Sequence, residues 1–283
     1  MPRARVWQVC DPSRASKIEE IIYKKRSSTL DEISSQLPNG IYTTFRTFDH
    51  YKFFLLESHF HRLEESANLI NKPIKLNYLL IRDALREVVK ISLEQELRIR
   101  LTINLDTLPA AIYISKEPLI TPTLEDYDKG VFTVLQKTIR DNPKAKLTSF
   151  LKRAELIRSK VPKNINEVLL VNSEGQILEG LSSNFFAVIK DEVWTEGEQV
   201  LSGIVRSVIL DLAEKNGIRV YLSAIHISDI DCLEEAFLTS TSRMVLPIQK
   251  IDSSIINKSK PGQITKKLIG LYQQHIQKLL EEI

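Results

Sequence analysis

Two side chains in this 283-residue sequence stand where chemistry is possible. Side chains alternate along a strand, so in the segment QILEG Ile177 and Glu179 share a face, and a carboxylate points where an apolar neighbour points and needs a partner. The segment KAKLTSFL alternates too and puts Lys146, Thr148 and Phe150 on one side, an amine beside an aromatic ring rather than free in water. Taken alone, each also reads as a solvated rim residue. A third feature is Ser202-Gly203-Ile204-Val205, which runs straight into a helical pattern and would turn unpaired N–H groups and the positive dipole end toward an anion such as phosphate. Thr239-Ser240-Thr241-Ser242 follows a strand pattern and could add hydroxyl and backbone donors to the same group. Simple capping and turn chemistry is the alternative for both.

Several familiar sites are absent. The sequence has no G-x-S-x-G, no G-x-x-x-x-G-K-[ST], no G-x-G-x-x-G and no H-E-x-x-H, which removes common hydrolase, P-loop, Rossmann and zincin readings. His50, His59 and His61 lie close together, but Asp49-His50 reads as a turn and residues two apart on a helix point to different sides. No metal pair is expected from them, and they read as ordinary surface or packed histidines.

The elements that must position these residues follow from periodicity. Glu19 to Arg26 and Thr29 to Leu37 read as short helices, the second opened by Ser28 or Thr29 and closed by Pro38-Asn39-Gly40. Ile41 to Phe48 and Tyr51 to Leu56 read as a strand pair about a tight turn at Asp49-His50. Amphipathic helices are expected over Glu57 to Ile70 and Asn77 to Ser92. Leu97 to Leu105 alternates, with Arg98, Arg100, Thr102 and Asn104 on its polar face and Ala110 to Ser115 as its hairpin partner. This first unit is α+β and antiparallel.

Lys116 to Gly130 carries Pro118 and Pro122 without periodicity, which places a junction near 119–128 between a domain 1–118 and a larger domain 129–283. Beyond it the pattern turns β-rich. Strands are expected at Val131 to Gln136, Glu167 to Val171, Gln176 to Glu179, Asn184 to Ile189, Val193 to Thr195, Ile218 to Leu222 and Ala236 to Thr239. Gly203 to Asn216 reads as a helix capped by Ser202 with Gly217 past its end, and Gly262 to Glu282 as a closing amphipathic helix.

Composition fits a folded protein of about two domains. Apolar residues make up 43% and charged residues 27%, and 39 basic against 36 acidic residues leave +3, interleaved rather than gathered into a phosphate-neutralising face. Nucleic acid is therefore a weak expectation as a partner. Cys10 and Cys232 have no CxxC spacing and give no sign of a disulfide framework, which fits a reducing cytoplasm. The start MPRARVWQVCDPSR lacks a signal-peptide core, and no run approaches the ~20 apolar residues of a membrane helix, so neither export nor insertion is expected.

Taken in order, these pieces resemble the class IV aminotransferases, the fold-type IV pyridoxal-phosphate enzymes that include branched-chain aminotransferases, D-amino-acid aminotransferases and aminodeoxychorismate lyases. The resemblance covers roughly residues 38 to 250. NGIYTTFRTF is similar to that family's first-domain strand, HFHRLEESANLI to its H-x-x-R-L-x-x-S-A helix, and KLTSFL to its lysine segment. NEVLLVNSEGQILEGLSSNFFAV resembles the signature E-x-x-x-x-N-x-F at Glu179, Asn184 and Phe186, and LSGIVR and FLTSTSRMVLPI complete the series.

The resemblance implies two domains, a smaller antiparallel α/β sandwich and a larger β-rich pseudo-barrel with helices. It implies that Lys146 binds pyridoxal 5'-phosphate covalently and then moves a proton between substrate and cofactor. Glu179 would keep the pyridine nitrogen protonated, and Arg62, the N–H groups of Ile204 and Val205, Thr241 and Ser242 would hold the phosphate. Tyr42, Arg46, Arg98 and Arg100 fall in the substrate region, where Arg98 or Arg100 could meet a carboxylate. Arg98-Ile99-Arg100 stands where common bacterial branched-chain enzymes have Y-x-R, Phe150 stands nearest their tyrosine, and the first forty residues depart from the usual short strand. YTTFR is as close to the F-T-T-x-R of the lyases as to the F-E-G-x-R of branched-chain enzymes. The implied activity is a homodimeric, cytoplasmic, ping-pong transfer between an L-amino acid, branched or hydrophobic, and 2-oxoglutarate, with pyruvate elimination and D-amino-acid transfer as alternatives.

Overall fold

A computed structural model describes residues 4–10, 17–23, 29–49, 52–256 and 260–283. Packing divides the chain into two units. The first comprises residues 1–120, 145–156 and 279–283, and the second 121–144 and 157–278. Among the described residues, no helix is long and apolar enough to cross a membrane.

The first unit is built on a five-stranded antiparallel sheet in the order β2-β1-β6-β5-β3. Its strands are β1 (Arg5–Cys10), β2 (Lys17–Glu20), β3 (Ile41–Arg46), β5 (Leu97–Asn104) and β6 (Ala111–Pro118). Helices α2 (Leu56–Leu69) and α3 (Tyr78–Lys90) bury Phe60, Leu63, Ala67, Ile81, Leu85 and Val88 in one core with Phe45, Ile99, Leu101 and Ile103 of the sheet. Asn77 caps α3 by accepting from the Leu80 N–H at 3.1 Å. A smaller core of Ala4, Val6, Ile33, Leu37 and Tyr113 gathers around α1 (Leu30–Gln36), which Thr29 opens by accepting from the Glu32 N–H.

Several expectations for this unit are corrected. Where a helix was expected from Glu19 to Arg26, Lys17–Glu20 is a strand that pairs Ile18 with Val9 and Glu20 with Trp7; cross-strand pairing outweighs the weak helical preference of KIEE. Residues 24–28, including Ser28, lie outside the described residues, as do His50 and Tyr51. The expected hairpin of Ile41–Phe48 with Tyr51–Leu56 is reduced to one bridge between Phe48 and Lys52. Instead β3 pairs along its length with β5, and β4 (Lys52–Phe54) pairs with the C-terminal β17 (Leu280–Glu282), which ends the closing helix three residues early. The polar face of β5 is largely closed to water: Arg100, Thr102 and Asn104 are buried and Arg98 is half-buried.

The second unit contains a ten-stranded sheet that closes on itself. Its members include β7 (Val131–Lys137), β8 (Glu167–Val171), β9 (Gln176–Gly180), β10 (Asn184–Ile189), β14 (Glu235–Ser240) and β15 (Met244–Ile251). The order β10-β14-β15-β7-β8-β9 returns to β10 through one further pairing, Glu179 opposite Asn184, so these strands form a barrel-like ring. Around the ring, β15–β7 and β7–β8 are parallel and the other pairings antiparallel. β11 (Glu192–Trp194) continues β10 through a turn in which Lys190 and Asp191 both have positive φ, the geometry that suits a two-residue hairpin. β12 (Val220–Tyr221) lies parallel to β11, and β13 (Ile225–His226) and β16 (Ser254–Ile255) are short edge additions. Val131, Leu169, Ile177, Phe185, Leu238 and Leu246 fill one core.

Three further corrections and one addition concern the helices of the rest of the chain. The stretch expected to lack structure contains α4 (Leu124–Lys129), opened by a capping box between Thr123 and Asp126. KAKLTSFL is not a strand, because α5 (Thr148–Arg158) begins inside it and Lys146, Thr148 and Phe150 share no strand face. Helix α6 (Ile204–Lys215) is capped by Gly203 rather than Ser202, and Gly217 with φ +71° follows its end. Helix α7 (Gln263–Leu279) is opened by Glu235, which accepts from the N–H groups of Ile264 and Thr265.

Candidate active site

In the first unit Lys146 is held by its backbone. Its carbonyl accepts from the Tyr42 N–H at 2.9 Å, its N–H donates to Ser66 Oγ at 3.1 Å, and the Thr148 N–H donates to the Gly40 carbonyl at 2.9 Å. With the bridge between Ile41 and Leu147, residues 146–148 extend the outer edge of β3, and α5 starts at once. An edge strand offers unpaired backbone groups, and this segment takes them up. The half-buried Lys146 ammonium lies 4.8 Å from the centroid of the Tyr42 ring, and the Arg100 guanidinium lies 5.1 Å from the same centroid.

Helix α2 carries the partners of that segment. His59, Arg62 and Ser66 recur at helical spacing and are all buried. Ser66 Oγ donates to the Arg62 carbonyl at 2.7 Å while accepting from Lys146, so one hydroxyl joins helix and lysine segment. Arg62 Nη2 donates to Thr43 Oγ1 at 2.8 Å and faces His59 Nδ1 at 3.4 Å; Thr43 Oγ1 is 2.8 Å from the same ring nitrogen. A guanidinium has only protons to offer, so Nδ1 is the accepting nitrogen, the imidazole proton is on Nε2, and the Thr43 hydroxyl donates to Nδ1. Burial, reinforced by the positive charges of Arg62 and Lys146, holds the His59 pKa well below the ordinary histidine value. The ring is therefore a neutral acceptor.

In the second unit Glu179 is 2% exposed and lies 2.9 Å from Arg140 Nε. Its second oxygen faces the Leu201 N–H at 3.3 Å and Asn184 Nδ2 at 3.5 Å, and the same Asn184 amide donates to the Leu201 carbonyl at 2.8 Å. The E-x-x-x-x-N spacing thus places both residues at the barrel's closing pair. A Cβ on Gly203 would lie 2.1 Å from Asn184 Oδ1, which explains why glycine and not Ser202 occupies the cap. The first N–H groups of α6, those of Ile204 and Val205, have no intrahelical acceptor by construction. Arg206, in the same turn, is buried, which lowers its pKa against the opposing pull of Glu179 and Glu196; it donates to the Glu196 carbonyl at 2.7 Å. Thr241 and Ser242 occupy the turn between β14 and β15, just beyond Thr239, whose hydroxyl is buried without a hydrogen-bond partner among the described residues.

The three other arginines of the sequence reading already meet carboxylates of this chain. Arg100, 1% exposed, donates to Asp31 Oδ1 at 2.8 Å, Ser34 Oγ at 2.6 Å, the Leu30 carbonyl at 3.1 Å and Thr44 Oγ1 at 3.3 Å. Arg98 donates to Glu117 at 2.7 Å, and the other Glu117 oxygen accepts from the Leu30 N–H. Both arginines thereby fasten α1 over β5, which gives part of the N-terminal forty residues a structural role. Arg46 pairs with Glu96 and lies over the Phe48 ring.

Sequence reasoning missed His59 and Thr43 as partners of Arg62, although the H-x-x-R spacing marks one face of a helix. It also missed Arg140 and Glu167. Glu167 is 1% exposed and accepts from Ser182 and Ser183 hydroxyls at 2.8 and 2.9 Å and from Arg243 at 2.6 Å. Burial raises its pKa, but the charges of Arg243 and Arg158 and these hydrogen bonds outweigh it and bring it to about 2. Nothing in local periodicity marks a buried hub of this kind.

The family model for amino-transferase class IV matches residues 40–251. The chain is 27% identical over 250 residues to a putative branched-chain-amino-acid aminotransferase of Methanocaldococcus jannaschii, covering 81% of this chain and 84% of that protein. It is 24% identical over 260 residues to a D-alanine aminotransferase of Bacillus licheniformis, covering 87% and 91%. The crystal structure of a putative branched-chain amino acid aminotransferase from Thermotoga maritima superposes with a TM-score of 0.78 over 98% of this chain and 97% of that one, at 23% identity. The fold is that of the fold-type IV aminotransferases, as the sequence motifs implied. The chain belongs to the class IV aminotransferase family and is a transaminase dependent on pyridoxal phosphate.

Proposed function

We propose that this enzyme transfers the amino group of an L-amino acid with a branched or otherwise hydrophobic side chain to 2-oxoglutarate in a ping-pong cycle, as a cytoplasmic homodimer. One observation carries the reading: a half-buried lysine is clamped to a sheet edge and joined through Ser66 to the helix that presents buried Arg62. The residues fit pyridoxal phosphate. The first unit offers an amine and a guanidinium; the second offers a buried carboxylate, a helix start with unclaimed N–H groups and the buried Thr239 hydroxyl beside further hydroxyls. When bound, the cofactor supplies an aldehyde that condenses with amines and a ring that draws electrons from the substrate Cα.

Lys146 would hold the cofactor and, once displaced by substrate, carry the proton that leaves and returns at Cα. Its contact with the Tyr42 ring and the backbone bond to Ser66 orient the amine. Glu179, paired with Arg140, would face the protonated ring nitrogen. Arg62, Ile204, Val205, Thr241 and Ser242 would bind phosphate. Tyr42 would line the substrate region, together with Arg46, Arg98 and Arg100 as charges already matched by the chain.

Screening purified enzyme against amino donors and oxo-acid acceptors tests the proposal. Turnover of L-leucine, L-isoleucine or L-valine with 2-oxoglutarate, lost together with the cofactor's protein-bound absorbance in Lys146→Ala, is the expected result. Transamination by Lys146→Ala would overturn the assignment of the base. A D-amino-acid donor is the second reading, favoured by the D-alanine aminotransferase relative, and assaying both enantiomers separates the two. Pyruvate release without an oxo-acid acceptor would point to a lyase. Sedimentation analysis checks the dimer.

A further inference from the structure

We propose that Glu167 is a positioning residue for phosphate binding: from β8 it fixes the 240–243 turn through Arg243 and the 181–184 turn through Ser182 and Ser183. The inference rests on the proposed role of Thr241 and Ser242 toward the cofactor phosphate. Arg243 closes the turn that carries those hydroxyls. Its Nη2 donates to Glu167 Oε2 at 2.6 Å and to Ser182 Oγ at 2.9 Å, and its Nη1 donates to Asn166 Oδ1 at 2.9 Å. Its own N–H and Nε both reach Ser240 Oγ at 3.3 Å, so the guanidinium and the turn backbone are tied to one side chain. The next residue, Met244, sits at φ +55°, a left-handed conformation that a non-glycine side chain holds only when its surroundings enforce it.

The same carboxylate orders the turn that ends at Asn184. Glu167 Oε2 accepts from the Ser182 N–H at 3.3 Å and from the hydroxyls of Ser182 and Ser183, while Oε1 accepts from the Val168 N–H at 3.1 Å and lies 3.8 Å from Arg158. A Cβ on Gly180 would meet the Glu167 side chain at 2.7 Å, so the backbone of β9 closes over the carboxylate. A carboxylate accepts at both oxygens and donates at neither. Glutamine in its place would keep one accepting oxygen and turn an N–H₂ toward Arg243 or the serines, which have protons of their own. Glu167→Gln therefore removes the charge pairing and leaves the volume unchanged.

The test is a parallel titration of the full chain, freed of cofactor by hydroxylamine treatment and dialysis, with pyridoxal phosphate and with pyridoxal, which lacks the phosphate. If Glu167 positions the phosphate-binding turn, Glu167→Gln raises the Kd for pyridoxal phosphate about ten-fold and leaves that for pyridoxal within about two-fold. Arg243→Gln gives the same selective loss, and the double variant is no weaker than the worse single one, because both act on one contact. Equal weakening for both ligands shows a merely structural role and overturns the proposal, as does unchanged affinity for pyridoxal phosphate. Should Glu167→Gln lack a cooperative thermal transition, Arg243→Gln decides on the same criteria. Failure of the wild-type chain to bind pyridoxal phosphate would refute the cofactor reading itself, a distinct outcome.

Discussion

Replacing Arg100 with glutamine separates a fastening arginine from a ligand-binding one. Glutamine keeps a polar amide but loses the charge and the forked geometry that reaches Asp31, Ser34, the Leu30 carbonyl and Thr44 together. Breaking a buried ion pair from one side costs about 3 to 5 kcal/mol. Asp31 is 26% exposed and can rehydrate, so the lower end applies, about 3 kcal/mol. At 2 to 4 °C per kcal/mol for a chain above 150 residues, the midpoint of thermal unfolding should fall by roughly 6 to 12 °C. Helix α1 should lose its attachment first, read as faster hydrogen exchange at Ile33 and Ser34. Asp31→Asn should weaken the same helix, and the double variant should fall short of the sum of the two losses. The refuting result is a variant with unchanged melting and unchanged exchange in α1 whose KM for the amino acid alone rises, because Arg100 would then recognise the substrate carboxylate.

Gly203→Ala places a methyl 2.1 Å from Asn184 Oδ1 and must displace the amide that bonds Leu201; overpacking plus one lost hydrogen bond gives about 2 to 4 kcal/mol by urea unfolding, and an unchanged midpoint would contradict the close approach. In NMR titrations His59 should protonate at a pH well below the ordinary histidine range. Since its folded pKa lies below its unfolded one, the unfolded chain binds the extra proton and stability should decline as pH falls below about 6.5, less so in His59→Gln. Glu167 titrates near 2 when folded against 4.5 in its ordinary state, so its contribution of roughly 3 kcal/mol is complete above pH 4.5 and drains away as pH falls toward 2; acid unfolding of Glu167→Gln should lack that part of the slope.

How much of this was readable from sequence follows from the range of the interactions involved. The periodicity of α2 marks its apolar stripe and the alternation of β9 marks Glu179, because both signals need only neighbours within a turn or a pleat, whereas Arg62 is marked only by the resemblance of HFHRLEESANLI to the family's helix. Even the E-x-x-x-x-N spacing has a local cause, since a tight turn sets Glu179 opposite Asn184 at the barrel closure. Local reasoning failed where a residue's environment is made by distant chain. Arg98 and Arg100 alternate as a polar face should, yet Asp31 and Ser34 arrive from a helix more than sixty positions away and bury that face. The alternation of its segment points to a strand for Lys146, whereas only its backbone meets β3 and the helix begins two residues later. A buried charge that looks like an invitation to a ligand can thus be satisfied within the chain. The carboxylate that receives each arginine, found only in three dimensions, decides which of them remain available to substrate.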